Sequence, residues 1–261
     1  VTAPVDTPAQ NEDSVRKLYQ STDVATKYIQ ERFAWAWSRL LHETQVKVLN
    51  DLLASHRPAS VLEVAPGPAR IAPDLKGVAR GTMVEASEPM IEVARERLRR
   101  YGLERVWNVK HGNAFDLAAL GQTFDFVYTF RFLRHFEESD RRRLMAQVRT
   151  VLNASGVLVF DVVNQVIREA IDAREKRAPP QGALPVYDVT YLEPAFRAEL
   201  ASEGFEVVAL RPAIRHYFLQ SWLSYRLGTR LPKLAWMLVN SVERIPAAHP
   251  LEWVAVCRRS P

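Results

Sequence analysis

Two short stretches carry residues whose types and spacing suit the binding of a charged or polar ligand. The first is Val61-Leu62-Glu63-Val64-Ala65-Pro66-Gly67-Pro68-Ala69-Arg70, an apolar run that ends in an abrupt turn of small residues. Such a run, bounded by turn residues, reads as a buried strand. No bulky side chain precedes Arg70 in the turn, so a ligand can approach the backbone closely at Ala65, Pro66 and Gly67. The second is Glu85, 18 residues after Gly67, at the end of the apolar run Thr82-Met83-Val84. A carboxylate at that distance can accept from both hydroxyls of a ribose. The pairing of turn and acid points to a nucleoside cofactor held across two strand ends. Residues after the turn are expected to start a helix whose free N–H groups face the ligand.

Other side chains have two readings each. Glu63 is either a buried acid accepting turn N–H groups or a group that orients the cofactor. His135 follows a strand end, where an imidazole can take a proton from a hydroxyl or ammonium nucleophile. It reads equally as a loop histidine bonded to backbone. Arg131 is either a clamp for a substrate carboxylate or phosphate, or a plain ion pair. His42, His56, His111, His216 and His249 show no ligand spacing with acids or with the single cysteine, Cys257, so no metal site is expected.

These groups need a scaffold, and the hydrophobic pattern supplies one. From Ser14 to Ser55 apolar residues recur at helical intervals, with a break near Ser21-Thr22-Asp23. Strands are then expected near 60–65, 81–85, 106–110, 124–130 and 157–163. They alternate with helices near 69–75, after Ser87, and after Ser139 or Asp140. Asn153-Ala154-Ser155-Gly156 reads as a turn. This alternation implies a Rossmann-like α/β fold with a doubly wound, mostly parallel sheet. A helix over 166–177 and a loop at 178–190 follow. A helix from Glu193 to Glu203 ends at Gly204, before strands near 205–210 and 252–257. The two are separated by a basic, aromatic-rich insertion at about 211–251. Leu223, Leu227, Leu231, Leu234, Leu238 and Val242 are expected on one helical face there. The division is thus an N-terminal helical lid region, 1–57, and a core with its insertion, 58–261.

The chain has 261 residues, a net charge of +5 and an apolar fraction of 48%. Its pI of about 9.4 permits an acidic substrate, a nucleic acid or an anionic membrane. The Arg-rich runs at helical spacing read first as solvated faces. One cysteine excludes an internal disulfide, which agrees with a cytoplasmic location. No apolar run reaches the length of a spanning helix.

From about residue 25 to 257 the chain resembles the class I S-adenosylmethionine-dependent methyltransferases that act on small molecules. Glu63 to Ala69 stands where that family has its glycine-rich first motif, with Ala65 and Ala69 replacing two of three glycines. Glu85-Ala86-Ser87-Glu88-Pro89-Met90 resembles the acidic second motif, with Met90 near the adenine. Gly112-Asn113-Ala114-Phe115 stands where Gly-Asp-Ala is frequent, Asn113 replacing the acid. Phe124 to Phe136 resembles the fourth-strand motif, and Tyr28 to Arg39 resembles the lid.

The resemblance implies a seven-stranded sheet with an antiparallel last strand and S-adenosyl-L-methionine as cofactor. It assigns the cofactor to Tyr28, Glu63, Ala65, Pro66, Gly67, Arg70, Glu85, Ala86, Met90, Asn113, Ala114, Phe115, Thr129, Phe130 and Arg131. The substrate would meet Phe33, Arg131, His135 and Tyr187, with His135 as the catalytic base. The implied reaction is methyl transfer to a small or lipophilic acceptor by in-line displacement. The alternative is a non-catalytic module that kept the fold, favoured by the eroded glycine turn. A nicotinamide-dependent dehydrogenase is disfavoured because G-x-G-x-x-G spacing is absent. No Asn/Asp-Pro-Pro-Tyr/Phe segment occurs, so nucleic acid is not the expected acceptor. The late insertion either contacts a membrane or a lipophilic substrate, or packs on its own domain. A homodimer stays open.

Overall fold

The computed structural model describes residues 33–174 and 188–260. Its centre is one sheet in the order β3-β2-β1-β4-β5-β8-β7, with the short β6 paired to β5. The first five strands are β1 (Val61–Val64), β2 (Gly81–Glu85), β3 (Trp107–His111), β4 (Phe124–Thr129) and β5 (Leu152–Asn164). They run parallel. The strand β8 (Glu252–Arg259) lies antiparallel between β5 and β7 (Phe205–Ala213). The two-residue β6 (Thr190–Tyr191) is an eighth strand that its sequence does not announce.

Residues on β1 and β2 are buried throughout, as both faces of a parallel sheet must be covered. The period of two along a strand divides them between two layers. Val61 on β1, Met83, Phe126 and Tyr128 pack against Leu49 and Leu53 of α1 (Ala36–His56) and Ile91, Ala94 and Leu98 of α2 (Glu88–Arg100). Leu62, Val64, Val127 and Leu158 face the opposite way. They meet Leu144 and Val148 of α3 (Glu138–Val151) and Phe196 and Leu200 of α5 (Glu193–Ser202). A third cluster joins the start of α1, Ile171 of α4 (Gln165–Arg174) and the two late helices, α6 (Tyr217–Leu227) and α7 (Pro232–Glu243).

Several local expectations change. The helix foreseen at 69–75 is only a 3-10 turn, Ala72–Asp74. Pro73 inside it lacks the N–H that a longer helix would need, and Ala69 before it is left-handed (φ 51°). The strand β5 begins at Leu152, and its pairing jumps from Phe124↔Leu152 to Phe126↔Val157. Residues 153–156 are therefore extra length within an extended segment, not a separate turn before the strand. The α2 start follows the pattern well: Ser87 is the N-cap, its Oγ accepting from Met90 N–H at 3.4 Å. The α3 start does not, because its N-cap is Glu137 rather than Ser139 or Asp140.

The insertion between β7 and β8 is helical, and Leu227, Leu238 and Val242 of the expected apolar face pack beside Leu223 in the third cluster. Leu223 is buried, whereas Leu231 and Leu234 lie on the surface. Of the N-terminal helical segment, residues 14–32 lie outside the described residues, as do most of the loop at 178–190, Tyr28 and Tyr187. Among the described residues no helix is long and apolar enough to cross a membrane. Cys257 is a buried core residue whose thiol is pushed up to about 12 by burial.

Candidate functional site

The strand order reverses between β1 and β4, so the connections after these strands leave in opposite directions and open a crevice at their carboxyl ends. A cavity occupies that crevice. Its wall includes Glu63, Ala65, Pro66, Gly67 and Arg70 from β1 and its turn, and Glu85, Ala86 and Met90 from β2 onward. Asn113, Ala114 and Phe115 come from the connection after β3, and Phe130 and Arg131 from the end of β4. Residues far apart in the chain meet there because parallel strands put all their carboxyl ends on one edge.

The turn after β1 has an unusual backbone. Ala65, Gly67 and Ala69 have φ of 51°, 55° and 51°. Only glycine enters this region at no steric cost, and each alanine there costs about 1 kcal/mol or more. The two alanines thus hold a backbone conformation that glycine would enter more readily. What holds the turn is Glu85. Its Oε2 accepts from Gly67 N–H at 3.0 Å, and its Oε1 accepts from the N–H groups of Ala86 and Ser87, each at 3.0 Å. Burial raises the Glu85 carboxyl above its usual range, and the three backbone bonds oppose that rise. The acid therefore ties the first turn to the second.

Glu63 lies beneath the turn with its Oε2 accepting from Tyr128 O–H at 2.8 Å. Burial pushes its carboxyl up to about 7, against the Tyr128 hydrogen bond and the Arg70 charge. Arg70 is itself fixed from outside the sheet. It donates to Gln45 Oε1 at 2.7 Å and to His42 Nδ1, both on α1. The Phe33 ring lies 4.5 Å from its guanidinium. Because Nδ1 accepts, Nε2 carries the His42 proton and donates to Asp74 Oδ2 at 2.9 Å. Burial and the Arg70 charge lower His42 to about 4, so this imidazole is neutral near pH 7.

Asn113 caps the segment Ala114–Leu120, its Oδ1 accepting from Phe115 N–H at 2.9 Å. Phe132 and Phe136 complete the wall beside Phe115, with ring centroids 4.9 Å and 5.4 Å apart along the series. Their sequence signal was the aromatic spacing after β4, which the helical and strand templates do not score. Gln45 and His42 gave no signal, since on an amphipathic helix they read as ordinary polar positions.

The remaining predicted residues stand apart from this wall. Thr129 ends β4 and is buried outside it. Phe33 covers Arg70 from behind and does not line the cavity. His135 is 2% exposed, does not line the cavity either, and has Nδ1 3.2 Å from Asp188. The same Asp188 takes both ends of the Arg134 guanidinium at 2.9 Å, and Arg134 also reaches Asp161 and Glu252. Burial alone would raise Asp188, but Arg134 and His135 outweigh it and hold the acid well below its usual range. The base foreseen at His135 is thus part of a buried ion cluster rather than a group facing the cavity. Arg131 does face the cavity, in a left-handed conformation (φ 58°) anchored by its N–H donating to Asp161 Oδ1 at 2.6 Å. Among the described residues no group of three or more His, Cys, Asp or Glu is placed to hold a metal ion.

Comparison with known proteins agrees with this geometry. Residues 61–156 match the family model of a methyltransferase domain. No curated protein matches the chain by sequence. Among solved structures, it is similar to magnesium protoporphyrin IX methyltransferase from Synechocystis PCC 6803 with bound SAH. That match has a TM-score of 0.65 and 12% identity, over 96% of this chain and 100% of the other. The DhpI–SAH complex gives a TM-score of 0.61 at 17% identity, over 94% and 95% of the two chains. The CcbJ methyltransferase from Streptomyces caelestis gives 0.56 at 17% identity, over 84% and 90%. The segment from β1 into β5 thus matches a methyltransferase-domain model, and the chain as a whole shares the fold of solved methyltransferases that bind SAH.

Proposed function

We propose that this protein binds S-adenosyl-L-methionine in the crevice between β1 and β4 and transfers its methyl group to a small or lipophilic acceptor by in-line displacement. The observation that carries the reading is the Glu85–Gly67 bond across a turn with three left-handed residues. A turn held in that conformation without glycine at two of the three positions is one shaped for a ligand. This favours a binding site over an eroded relic of one.

When bound, the cofactor supplies an activated methyl and its own leaving group. The protein has to bind, orient and exclude water. Glu85 presents its remaining Oε2 lone pair to a ribose hydroxyl. Met90, Ala114 and Phe115 give an apolar slot for a flat base, with Asn113 Oδ1 as acceptor at its edge. Arg70, pinned by Gln45 and His42, sets a positive charge opposite Glu63, which suits an amino-acid end carrying both signs. Phe130, Phe132 and Phe136 keep water from the far wall, and Arg131 stands where an acceptor would approach. Tyr28 and the segment before α1 are assigned to the cofactor side as a lid, while α1 itself packs on the sheet. The acceptor lies between this lid, the loop bearing Tyr187 and the late insertion. One structural relative is named as a methyltransferase of magnesium protoporphyrin IX, an acceptor with a lipophilic ring.

No base facing the cavity is needed if the nucleophile is already deprotonated at the working pH. Calorimetric titration with S-adenosylhomocysteine, and with NAD as control, tests the reading. Saturable binding of the first and none of the second is expected. No heat with millimolar S-adenosylhomocysteine would sink it.

A further inference from the structure

From Val207 to Val242 the chain contains no acidic residue, while Arg211, Arg215, Arg226, Arg230 and Lys233 lie within it. This stretch builds α6, α7 and the turn between them. The inward side of this hairpin packs Leu223, Leu227, Leu238, Val239 and Val242 into the third core cluster. On α6 the inward positions include Gln220, Ser221 and Ser224, all buried. Their polar groups are satisfied inside the protein. Gln220 Nε2 donates to Glu243 Oε2 at 2.9 Å, its Oε1 accepts from His216 N–H at 3.0 Å, and Ser224 Oγ accepts from Trp37 N–H at 3.0 Å.

The outward positions carry large apolar side chains as well. Leu219, Trp222 and Tyr225 recur at intervals of three along α6, and Leu234 and Met237 do so along α7. Trp222 is 55% exposed, Met237 56%, and Leu231 in the turn 51%. Arg226, Arg230 and Lys233 are exposed among them, with no acidic partner among the described residues. Large exposed apolar side chains grouped with unpaired cations mark an interaction surface rather than a solvated face.

We propose that the α6–α7 hairpin docks on an anionic lipid surface, with Trp222, Tyr225, Leu231, Leu234 and Met237 entering the headgroup boundary and Arg226, Arg230 and Lys233 meeting lipid phosphates. Aromatic and aliphatic side chains beside Lys and Arg form the pattern that binds such interfaces. A second copy of this chain fits the surface poorly. A two-fold contact would set the same cations against each other with no acid to offset them. Nucleic acid would use the cations but leave the exposed Trp, Leu and Met side chains without partners. The hairpin is also joined to the cofactor side: Tyr225 meets Trp35 edge to face at 4.8 Å, just before α1 and two residues from Phe33. Docking there would bring a lipophilic acceptor to the same end of the molecule as the lid. The inference does not depend on methyl transfer, and the two fail separately.

The test is sedimentation of the full-length chain with vesicles of phosphatidylcholine alone or mixed with phosphatidylglycerol, at low and high salt. Binding to the mixed vesicles is expected, weakened by salt. The triple variant Arg226→Glu, Arg230→Glu, Lys233→Glu should lose at least tenfold in partitioning. The double variant Trp222→Ser, Met237→Ser should lose binding that persists at high salt. Circular dichroism and a thermal melt of each variant report that it is folded. Absence of binding by the wild type overturns the proposal, as does binding that both variants retain. Self-association of the wild type that the double variant abolishes would assign the face to a second copy and overturn it equally.

Discussion

The carboxylate of Glu85 accepts from Gly67 N–H at 3.0 Å, so the acid at the end of one strand holds the turn at the end of its neighbour. The residue expected to bind ribose is therefore also a structural clamp. One lone-pair position, on Oε2, remains for the ligand after Ala86, Ser87 and Gly67 have bonded.

Replacing Glu85 by Ala removes both functions. Affinity for S-adenosylhomocysteine should fall tenfold or more, as expected for loss of a charge-assisted pair. Three buried N–H groups lose an acceptor, so unfolding stability should fall by about 1–3 kcal/mol. Calorimetry and urea denaturation read the two separately. Unchanged affinity in a folded Glu85→Ala protein would refute the ribose role.

The Ala65→Gly variant should be as stable as the wild type or more so. Relief of a left-handed alanine returns about 1 kcal/mol, against roughly 0.4–1 kcal/mol for the freer unfolded chain. The contrast is Ala94→Gly within α2, a buried helical position with no strain to relieve, where a loss of about 1 kcal/mol is expected. Equal losses in the two variants would show that Ala65 carries no strain.

Glu63 and His42 give opposite pH dependences. Glu63 is raised from 4.5 to about 7, so the folded state binds more protons between those values and its share of stability is lost as pH rises through that window. The total is roughly 3 kcal/mol for a fully buried group. Glu85 and Glu252, also raised by burial, act in the same direction. His42 is lowered from 6.5 to about 4, so its share rises with pH between about 4 and 6.5. Relative to wild type, Glu63→Gln should gain in stability from pH 5 to 7.5. His42→Phe should lose over the lower part of that range. Thermal melts across pH, referenced to wild type, measure both, and parallel curves would contradict the assignments.

Arg134 is surrounded by Asp161, Asp188 and Glu252 in the core, with Asp188 and Glu252 on segments distant from it in the chain. Arg134→Leu leaves three buried acids without their cation and should cost about 3–5 kcal/mol. His135→Gln keeps a donor toward Asp188 and should cost much less, leaving S-adenosylhomocysteine affinity unchanged. A large drop in that affinity on His135→Gln would return the histidine to the cofactor site.

Much of the fold was legible because it rests on local periodicity. The strand ends at Val64, Glu85 and Thr129 are marked by apolar runs meeting small or polar residues. Ser87 with Pro89 marks the α2 start by chemistry that involves only adjacent residues. The turn at 69–75 was misread because apolar spacing does not register a left-handed backbone, and Pro73 left no room for a second helical turn. Within the insertion only Leu231 and Leu234 depart from the expected inward face, for a different reason. Periodicity gives a helix its two faces, but which face turns inward depends on a partner, and here Gln220 and Ser224 find theirs in Glu243 and Trp37.

The sequence by itself determined the alternation of strands and helices, the turn of small residues, the acid 18 positions after Gly67, and a long stretch without negative charge. Each is a property of neighbours along the chain. The tertiary structure decided what those residues face. It put Arg70 in the grip of Gln45 and His42, 25 and 28 positions away, and drew His135 into the core beside Asp188. It also turned Trp222 and Met237 outward. Side-chain type limits which bonds a residue can make, but burial and distance select among them, and both arise only when remote segments pack together.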